Sequence, residues 1–430
     1  MVEITPFTGL LYNPEKTGKL SNLTAPPYDV IKPHHQEILY DKHPNNIVRL
    51  ILGKQYEGDT EENNRYTRSA KDFEDWISKG ILKEDSTPHY YAYGQEYDFK
   101  GSKISRIGFF ARVKLEDYSS GNICPHEFTL AKAKHDRSLL LSACRANFSP
   151  IFGLFSDPEH AIDKCLLDVC RGTPIGTVKE EGIVHSLWRI KNKDAISFLT
   201  RSMLARKIYI ADGHHRYETA LAYYKSREPE DDSTHVMMFL TNLDSDSLTV
   251  FPIHRVIKSR RTFHRSNFIS HLEENFDVEH LPQGTTSDKV RERLESVEKN
   301  RTMFAVYLKG GEIILLTVSG SDSIGLYLKQ EEPLDLRVLD VVQLHAMIIR
   351  SVMDVDTMIP EHQKYVLYTI DMDLGMEKVE SGKYDAAFFM NPTRVEQVRL
   401  LAEKGIRLPQ KATYFYPKLL SGLVLNKFQS

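Results

Sequence analysis

The stretch KIYIADGHHRYETALAYYKS, residues 207–226, constrains the fold more than any other. It joins a short β-branched strand to a long helix through Asp212, Gly213, His214, His215 and Arg216. Ile208, Tyr209 and Ile210 read as a buried strand, Gly213 permits a tight turn, and from Tyr217 onward Ala, Leu and Tyr recur at helical spacing. Such a junction presents a helix N-terminus, where unpaired amide N–H groups and the positive end of the helix dipole attract an anion.

The side chains of the junction add to that attraction. Arg216 offers a planar fork matched to phosphate oxygens, and His214 and His215 can donate as neutral or charged rings. Asp212 can hold a metal ion or take a proton. The plainer alternative makes Asp212 a helix cap, Arg216 the partner of a nearby carboxylate and the histidines surface residues.

A chain of 430 residues exceeds one ordinary core, so two or three domains are expected. Hydrophobic and charged fractions of 41% and 27% are those of a globular protein. A net charge of −3, with no Lys/Arg run, offers nucleic acid no general attraction. The N-terminal residues lack a basic segment followed by an apolar one, and no apolar run is long enough to span a bilayer; a cytoplasmic protein is expected. Cys124, Cys144, Cys165 and Cys170 show no CxxC spacing, which fits reduced thiols better than zinc ligands or disulfides. Cys124, beside His126 and Glu127, is a minor candidate nucleophile.

The remaining pattern predicts a mixed α/β or α+β fold. An apolar stripe of Ala70, Phe73, Trp76, Ile77 and Ile81 marks a helix over 66–82, and 88–99 with 104–115 reads as an antiparallel pair turning at KGSK. A helix over 129–146 and the strand SPIFGLF lead, through the opening junction, to the strands THVMMFLTN and LTVFPIH. The charged segment 259–300 predicts two helices, followed by the strands TMFAVYLK and EIILLTVS. A helix over 336–353, strands YVLYTI and AAFFM and a helix over 394–404 complete the chain. The expected division is an N-terminal α/β region over 1–120, a phosphate-binding core over 121–260 and a C-terminal α/β region over 261–430.

Other clusters carry chemical potential. In CPHEFTLAKAKHDRS, His126 and Glu127 precede a helix bearing Lys134, Asp136 and Arg137, with Thr129 between. Glu127 is a candidate general base, Lys134 and Arg137 candidate phosphate ligands, Asp136 a second metal ligand beside Asp212, and His126 and Thr129 candidate substrate contacts. HEFTL is not HExxH, because His135 comes too late, so a metalloprotease is excluded. Tyr28 and Asp29 follow two stiffening prolines, while Asn391 and Thr393 sit at a strand-to-helix junction. Lys411 and Lys418 flank the aromatic run Tyr414–Tyr416, whose rings favour packing. Tyr28, Asp29, Asn391, Thr393, Lys411 and Lys418 are therefore the further substrate-binding candidates.

There is no GxxxxGK[ST] loop, no GxGxxG after a strand and no kinase HRD or DFG set, so the familiar nucleotide folds are not indicated. ADGHHRYETA instead resembles the DGHHR box of the ParB/sulfiredoxin-like fold, and most closely its small-molecule branch, the free L-serine kinases. More widely, PPYDVI, HEFT with KHDR, SPIFGLF, ADGHHRYETA, FPIHRVI, MNPT and PQKATYFYPKLLSGLV resemble a bacterial and archaeal family catalogued as a domain of unknown function. The box implies a ParB-like phosphate-binding core with additional α/β lobes. In it Gly213, His214, His215 and Arg216 contact phosphate, while Asp212 assists metal binding or catalysis.

The resulting expectation is phosphoryl transfer to the hydroxyl of a small molecule, free L-serine first. Glu127, Asp212 and His214 are the candidate catalytic residues, Mg2+ the cofactor, and pyrophosphate a slightly better donor than ATP or ADP. No nucleic-acid or membrane partner is expected. Two other readings use the same cradle: a ParB-like nucleotide-binding switch, which lacks an evident DNA-reading element, and a phosphatase or nuclease with water as acceptor.

Overall fold

The computed structural model describes residues 1–226, 232–298, 301–318, 327–329 and 333–429. It splits into two compact units: unit 1 comprises 1–125, 129–248 and 417–430, and unit 2 comprises 126–128 and 249–416. This differs from the three consecutive regions expected. The boundary placed near 120 falls inside one continuous sheet, and the last residues of the chain return to unit 1, a non-local pairing that carries no local signal.

Unit 1 is built on a mixed sheet of nine strands among the described residues. They are β1 (Ile4–Thr5), β2 (Tyr90–Phe99), β3 (Ser102–Lys114), β4 (Ile123–Cys124), β5 (Ile151–Phe155), β6 (Gly176–Glu180), β7 (Ile183–Ile190), β8 (Ile208–Asp212) and β9 (His235–Asn242). Their order is β4-β8-β5-β9-β3-β2-β7-β6, with β1 added to β3. Only β8 with β4 and β9 with β5 are parallel; the other pairs are antiparallel. The pair turning at KGSK is β2 with β3, in register from Tyr91 opposite Phe110 to Phe99 opposite Ser102.

The strands β5 and β9 are buried along nearly their whole length, which explains their unbroken apolar runs. Tyr90, Phe109, Phe155, Ile208, Ile210, Tyr217 and Met238 belong to one continuous core.

Three helices of unit 1 matter below: α1 (Arg65–Ser78), α2 (Ala131–Cys144) and α3 (His214–Lys225). Asn64 caps α1, accepting from the N–H of Tyr66 and Thr67 while the Thr67 hydroxyl accepts from the N–H of Asn64. From the expected stripe Phe73 and Trp76 are buried, Ala70 and Ile77 pack at the margin, and Ile81 lies past the helix end. All four cysteines are free thiols, and burial pushes Cys144 and Cys170 up to about 12.

Unit 2 is organised around an antiparallel six-stranded sheet. After β10 (Thr249–Phe251) come β11 (His254–Ile257), β12 (Phe276–His280), β13 (Met303–Leu308), β14 (Glu312–Val318), β15 (Val366–Thr369) and β16 (Ala386–Met390); β17 (Tyr414–Tyr416) is last. The order is β12-β14-β13-β16-β11-β15, while β10 pairs separately with β17. LTVFPIH, expected as one strand, is thus split at Pro252 between two sheets, as the missing proline N–H favours.

The segment 259–300 holds the two expected helices, α4 (Arg265–Asn275) and α5 (Ser287–Glu295), but also the unexpected edge strand β12. Residues 299 and 300 lie outside the described residues. The helix expected over 336–353 is a short 3-10 segment, an α-helical turn over Asp340–Leu344 and a π-helical stretch over His345–Arg350. Among the described residues no helix is long and apolar enough to cross a membrane.

Candidate functional site

The strand–turn–helix junction forms in unit 1 as its sequence predicts. Strand β8 ends at Asp212, Gly213 caps α3 with φ +93°, and His214 is the first helical residue. The cap is therefore Gly213 rather than Asp212. A side chain at 213 would be strained twice: the left-handed backbone disfavours it, and its Cβ would come within 2.9 Å of the Arg216 guanidinium. Glycine at this position lets Arg216 fold back over the turn.

Charges converge at the start of α3. The Asp212 carboxylate lies 3.4 Å from Arg216 and 3.5 Å from the Lys418 ammonium, which comes from the C-terminal return of the chain. Two cations, from the first turn of α3 and from the returning chain, thus pair with one carboxylate. Arg216 also donates to the carbonyl of Pro150, which fixes the direction of its fork. The fork is therefore partly committed to holding the turn.

The histidines differ from each other. His214 is buried, only 5% exposed. His215 accepts, at Nε2, a hydrogen bond of 2.9 Å from the N–H of Leu130. An imidazole that accepts at Nε2 is neutral and carries its proton on Nδ1. His215 thus ties the loop before α2 to the cradle. Next on the same face of α3, Glu218 accepts from the Thr129 hydroxyl at 2.6 Å and pairs with Lys134 at 3.0 Å.

Glu218 is a functional candidate that the sequence reading missed. Its i+4 spacing from His214 was the available signal.

Helix α2 supplies the second wall. Asp136 accepts from the Tyr66 hydroxyl at 2.7 Å and from Arg65 on one oxygen, and from Arg137 Nε at 2.7 Å on the other. Burial pushes its carboxyl up, but the Arg137 charge and the hydrogen bonds from Tyr66 and Arg137 outweigh it and hold Asp136 below the usual carboxylate range. Both oxygens of Asp136, the expected second metal ligand, thus accept from cations and a phenol. Arg137, buried, also donates to the Ile51 carbonyl at 2.9 Å and stacks over Tyr28 at 3.8 Å from the ring centre. Burial raises the Tyr28 hydroxyl above its ordinary value, opposed by the Arg137 charge. Asp29, next to it, is exposed.

A cavity of about 60 Å³ lies among these groups, bordered by Tyr28, Arg137, Ser149 and Arg216 over an apolar floor that includes Ile51 and Phe148. Two guanidinium groups and a phenol facing so small a space suit a compact anionic group. The volume is far below the several hundred Å³ of a site for a drug-sized ligand.

The remaining expected residues belong to unit 2. His126 is fully buried, bonded through Nε2 to the Thr413 hydroxyl at 3.0 Å and set edge-on to Phe415. His126, expected as a substrate contact, thus stands against Thr413 and Phe415 of the same unit. Glu127 accepts the N–H of Lys411 at 3.0 Å. Lys411 is exposed, with φ +58°. Asn391 donates to the Leu294 carbonyl at 2.7 Å and Thr393 to the Ala412 carbonyl at 2.9 Å, so both hold backbone. The aromatic run packs as expected: Phe415 is buried, and Phe251 stacks on Tyr416 with ring centres 4.5 Å apart.

The cradle in unit 1 thus gathers Tyr28, Lys134, Arg137, Asp212 to Arg216 and Lys418, while Glu127, Asn391, Thr393 and Lys411 lie in unit 2. Among the described residues no group of three or more His, Cys, Asp or Glu side chains is placed to hold a metal ion.

Similar solved structures include a mutant free serine kinase in complex with AMP, 13% identical, with 72% of this chain and 87% of that chain covered and a TM-score of 0.35. A conserved hypothetical protein from Pyrococcus furiosus is 13% identical over 73% of this chain and 92% of that one, at a TM-score of 0.33. SbnI with a C-terminal truncation, from Staphylococcus aureus, is 10% identical over 73% and 85%, also at 0.33. No curated protein sequence matches the chain. The family model described as "Protein of unknown function (DUF1015)" matches residues 4–342. With most of its length matched, the protein belongs to the DUF1015 family.

Proposed function

We propose that the protein is a phosphotransferase that moves a phosphoryl group to the hydroxyl of free L-serine, giving O-phosphoserine, with pyrophosphate as the preferred donor over ATP or ADP. The observation that carries this reading is the start of α3, where Asp212 stands 3.4 Å from Arg216 and 3.5 Å from Lys418 beside a glycine-capped helix N-terminus. Its resemblance to the DGHHR box of the serine kinases supplies the acceptor. The small cavity between Arg137 and Arg216 supports a compact donor.

In this reading the helix N-terminus, Arg216 and Lys418 hold the donor phosphates and stabilise charge as it develops. The serine hydroxyl oxygen attacks phosphorus, the bond from phosphorus to the leaving phosphate oxygen breaks, and the hydroxyl proton passes to a carboxylate. We assign that carboxylate to Asp212, which stands in the cradle itself, over Glu127, which is engaged with the Lys411 N–H. His215, neutral and locked to Leu130, is a positioning residue.

Mg2+ fits this cradle only as an ion brought with the donor. Asp212 precedes the helix start and Glu218, paired with Lys134, lies one turn in, and Mg2+ characteristically takes one or two carboxylates with substrate phosphates and water. Bound there, it would neutralise the phosphate oxygens.

The test is 31P NMR of the full chain with Mg2+, L-serine and each donor in turn. O-phosphoserine forming fastest from pyrophosphate is the expected result. Product from ATP alone would overturn the donor assignment, and phosphate release independent of serine would turn the reading to hydrolysis.

A further inference from the structure

Helix α1 stands outside the strand–turn–helix motif, yet its first turn supports one wall of the small cavity in unit 1. Arg65 and Tyr66 open the helix, and both side chains donate to the same oxygen of Asp136, the Tyr66 hydroxyl at 2.7 Å. Arg65 also lies over the Tyr66 ring, 4.9 Å from its centre, and donates to the Tyr66 hydroxyl at 2.8 Å. The Asn64 cap fixes the backbone beneath both residues.

The other oxygen of Asp136 belongs to Arg137. It accepts from Nε at 2.7 Å and from Nη2, while Nη1 donates to the Ile51 carbonyl at 2.9 Å. The guanidinium face is covered as well, 3.8 Å from the centre of the Tyr28 ring. Of the five N–H donors of an arginine, three are thus committed. One N–H on each terminal nitrogen is left without a partner among the described residues, and Arg137 borders the cavity of about 60 Å³ together with Tyr28, Ser149 and Arg216.

Asp136, held below the usual carboxylate range, stays ionised at neutral pH and keeps these donors in place. One carboxylate serves two guanidinium groups, so the trio of Arg65, Asp136 and Arg137 keeps a positive charge. A tie between α1 and α2 needs only Arg65 and Asp136. It does not need a second guanidinium, buried beside a cavity with donors left over. Burying such donors is costly unless a ligand meets them.

We infer that Asp136, held by Arg65 and Tyr66, is a positioning residue: it sets the Arg137 fork at the cavity, where the fork takes one phosphate group of pyrophosphate with Arg216 on the same cavity. The inference rests on the reading of this cavity as the donor site. Asp136 acts through Arg137 and touches no reacting atom.

The test is isothermal titration of the full chain with magnesium pyrophosphate in a double-mutant cycle of Asp136→Asn and Arg137→Lys. Each single change should weaken binding by about tenfold, the scale for partners that orient a ligand-binding group, and the double variant should bind no more weakly than Arg137→Lys alone. Tyr66→Phe removes one hydroxyl from Asp136; it should weaken binding in the wild-type background and change nothing in Arg137→Lys. If Asp136→Asn fails to fold, Tyr66→Phe decides. Wild-type affinity in these variants, or losses that add to that of Arg137→Lys, would overturn the positioning role, because a purely structural tie shifts the melting temperature and leaves the cycle additive. The donor reading fails differently. No saturable pyrophosphate binding by the wild-type chain would overturn it together with this inference, whereas binding without O-phosphoserine in 31P NMR would overturn phosphoryl transfer to serine alone and leave Asp136 in its role.

Discussion

Among the described residues each unit encloses one arginine completely, and the two arginines are used in parallel ways. In unit 1, Arg106 donates to Gln95 at 3.0 Å and to the carbonyl of Pro417, while Gln95 donates to the carbonyl of Lys418. In unit 2, Arg255 donates to the carbonyls of Ile253 and Lys411, the latter at 2.9 Å. Burial lowers both guanidinium groups to about 10, still far above neutral pH, so both stay charged. A buried cation spent on backbone carbonyls is a clamp, and each clamp fixes one lysine-bearing turn of the C-terminal stretch. The difference lies in what the turn then faces. Lys418 is presented to Asp212 and the helix start, whereas Lys411 is exposed on a left-handed backbone.

The largest expected effect tests which of these turns serves chemistry. Asp212→Asn should lower serine-dependent turnover by at least about 100-fold, the scale of a lost general base, with little change in melting temperature. Glu127→Gln should change turnover less than about threefold, on the same scale of general-base effects. Kinetics of both variants at saturating serine decide it; a larger loss in Glu127→Gln would move the base to unit 2 and reverse the comparison.

The clamps come next. Arg106→Met and Arg255→Met each leave buried carbonyls unsatisfied and should cost about 3 kcal/mol of stability, measured by urea unfolding. Only Arg106→Met should also raise the KM for the phosphate donor, because only that clamp holds Lys418. Equal KM effects would mean that the two turns act together.

How far these features could be read from sequence varies with their range. The strand, Gly213 and helix α3 were legible because Ile208 to Tyr217 carries the whole signal within one turn of chain. The apolar stripe ending at Trp76 and the hairpin at KGSK were legible for the same reason. By contrast, Lys418 meets Asp212 only after the chain leaves unit 1 and returns, and nothing near either residue encodes that pairing. Strand β12 was hidden because it is an edge strand with Phe276 its single buried residue, so its alternation was drowned by charge. Glu218 lay inside the motif but reads as an ordinary exposed helix residue until Thr129 and Lys134 are brought to it. Asp136 looked like a metal ligand because Arg65 and Tyr66, its partners from α1, are distant in sequence.

Acid and base each act on buried groups in both units. His185, beside the buried Tyr93 hydroxyl at 2.7 Å, and His254 are both pushed down to about 3, by burial first and then by Arg106 and Arg255 respectively. A depressed folded value means stability that is present above the unfolded value near 6.5 and lost as pH falls towards 3. That loss strikes both units alike. Buried carboxylates move the other way, Asp72 in unit 1 and Asp340 in unit 2: burial raises Asp340 to about 6 against the hydrogen bond from Thr302. The contribution of Asp340 is present below the unfolded value and lost as pH rises through 6. Asp340→Asn should therefore stabilise unit 2 at pH 7.5 by on the order of 2 kcal/mol and leave stability at pH 4 nearly unchanged. Urea melts at the two pH values check it, and an equal gain at both would exclude titration as the cause.

The smallest expected effect concerns the left-handed residues. Unit 1 places glycine where φ is +93°, at residue 213, and unit 2 places Lys411 where φ is +58°. Lysine pays strain there that glycine would not, and the Glu127 and Arg255 contacts on its N–H and carbonyl hold it in place. Lys411→Gly should raise stability by about 0.5–1 kcal/mol, whereas Lys411→Ala, which keeps the Cβ, should not. Urea unfolding of the two variants checks it. A gain in Lys411→Gly without one in Lys411→Ala assigns the strain to the left-handed backbone at 411, and equal effects would mean that the Glu127 and Arg255 contacts hold this turn without strain, so that the two left-handed positions differ in side chain alone.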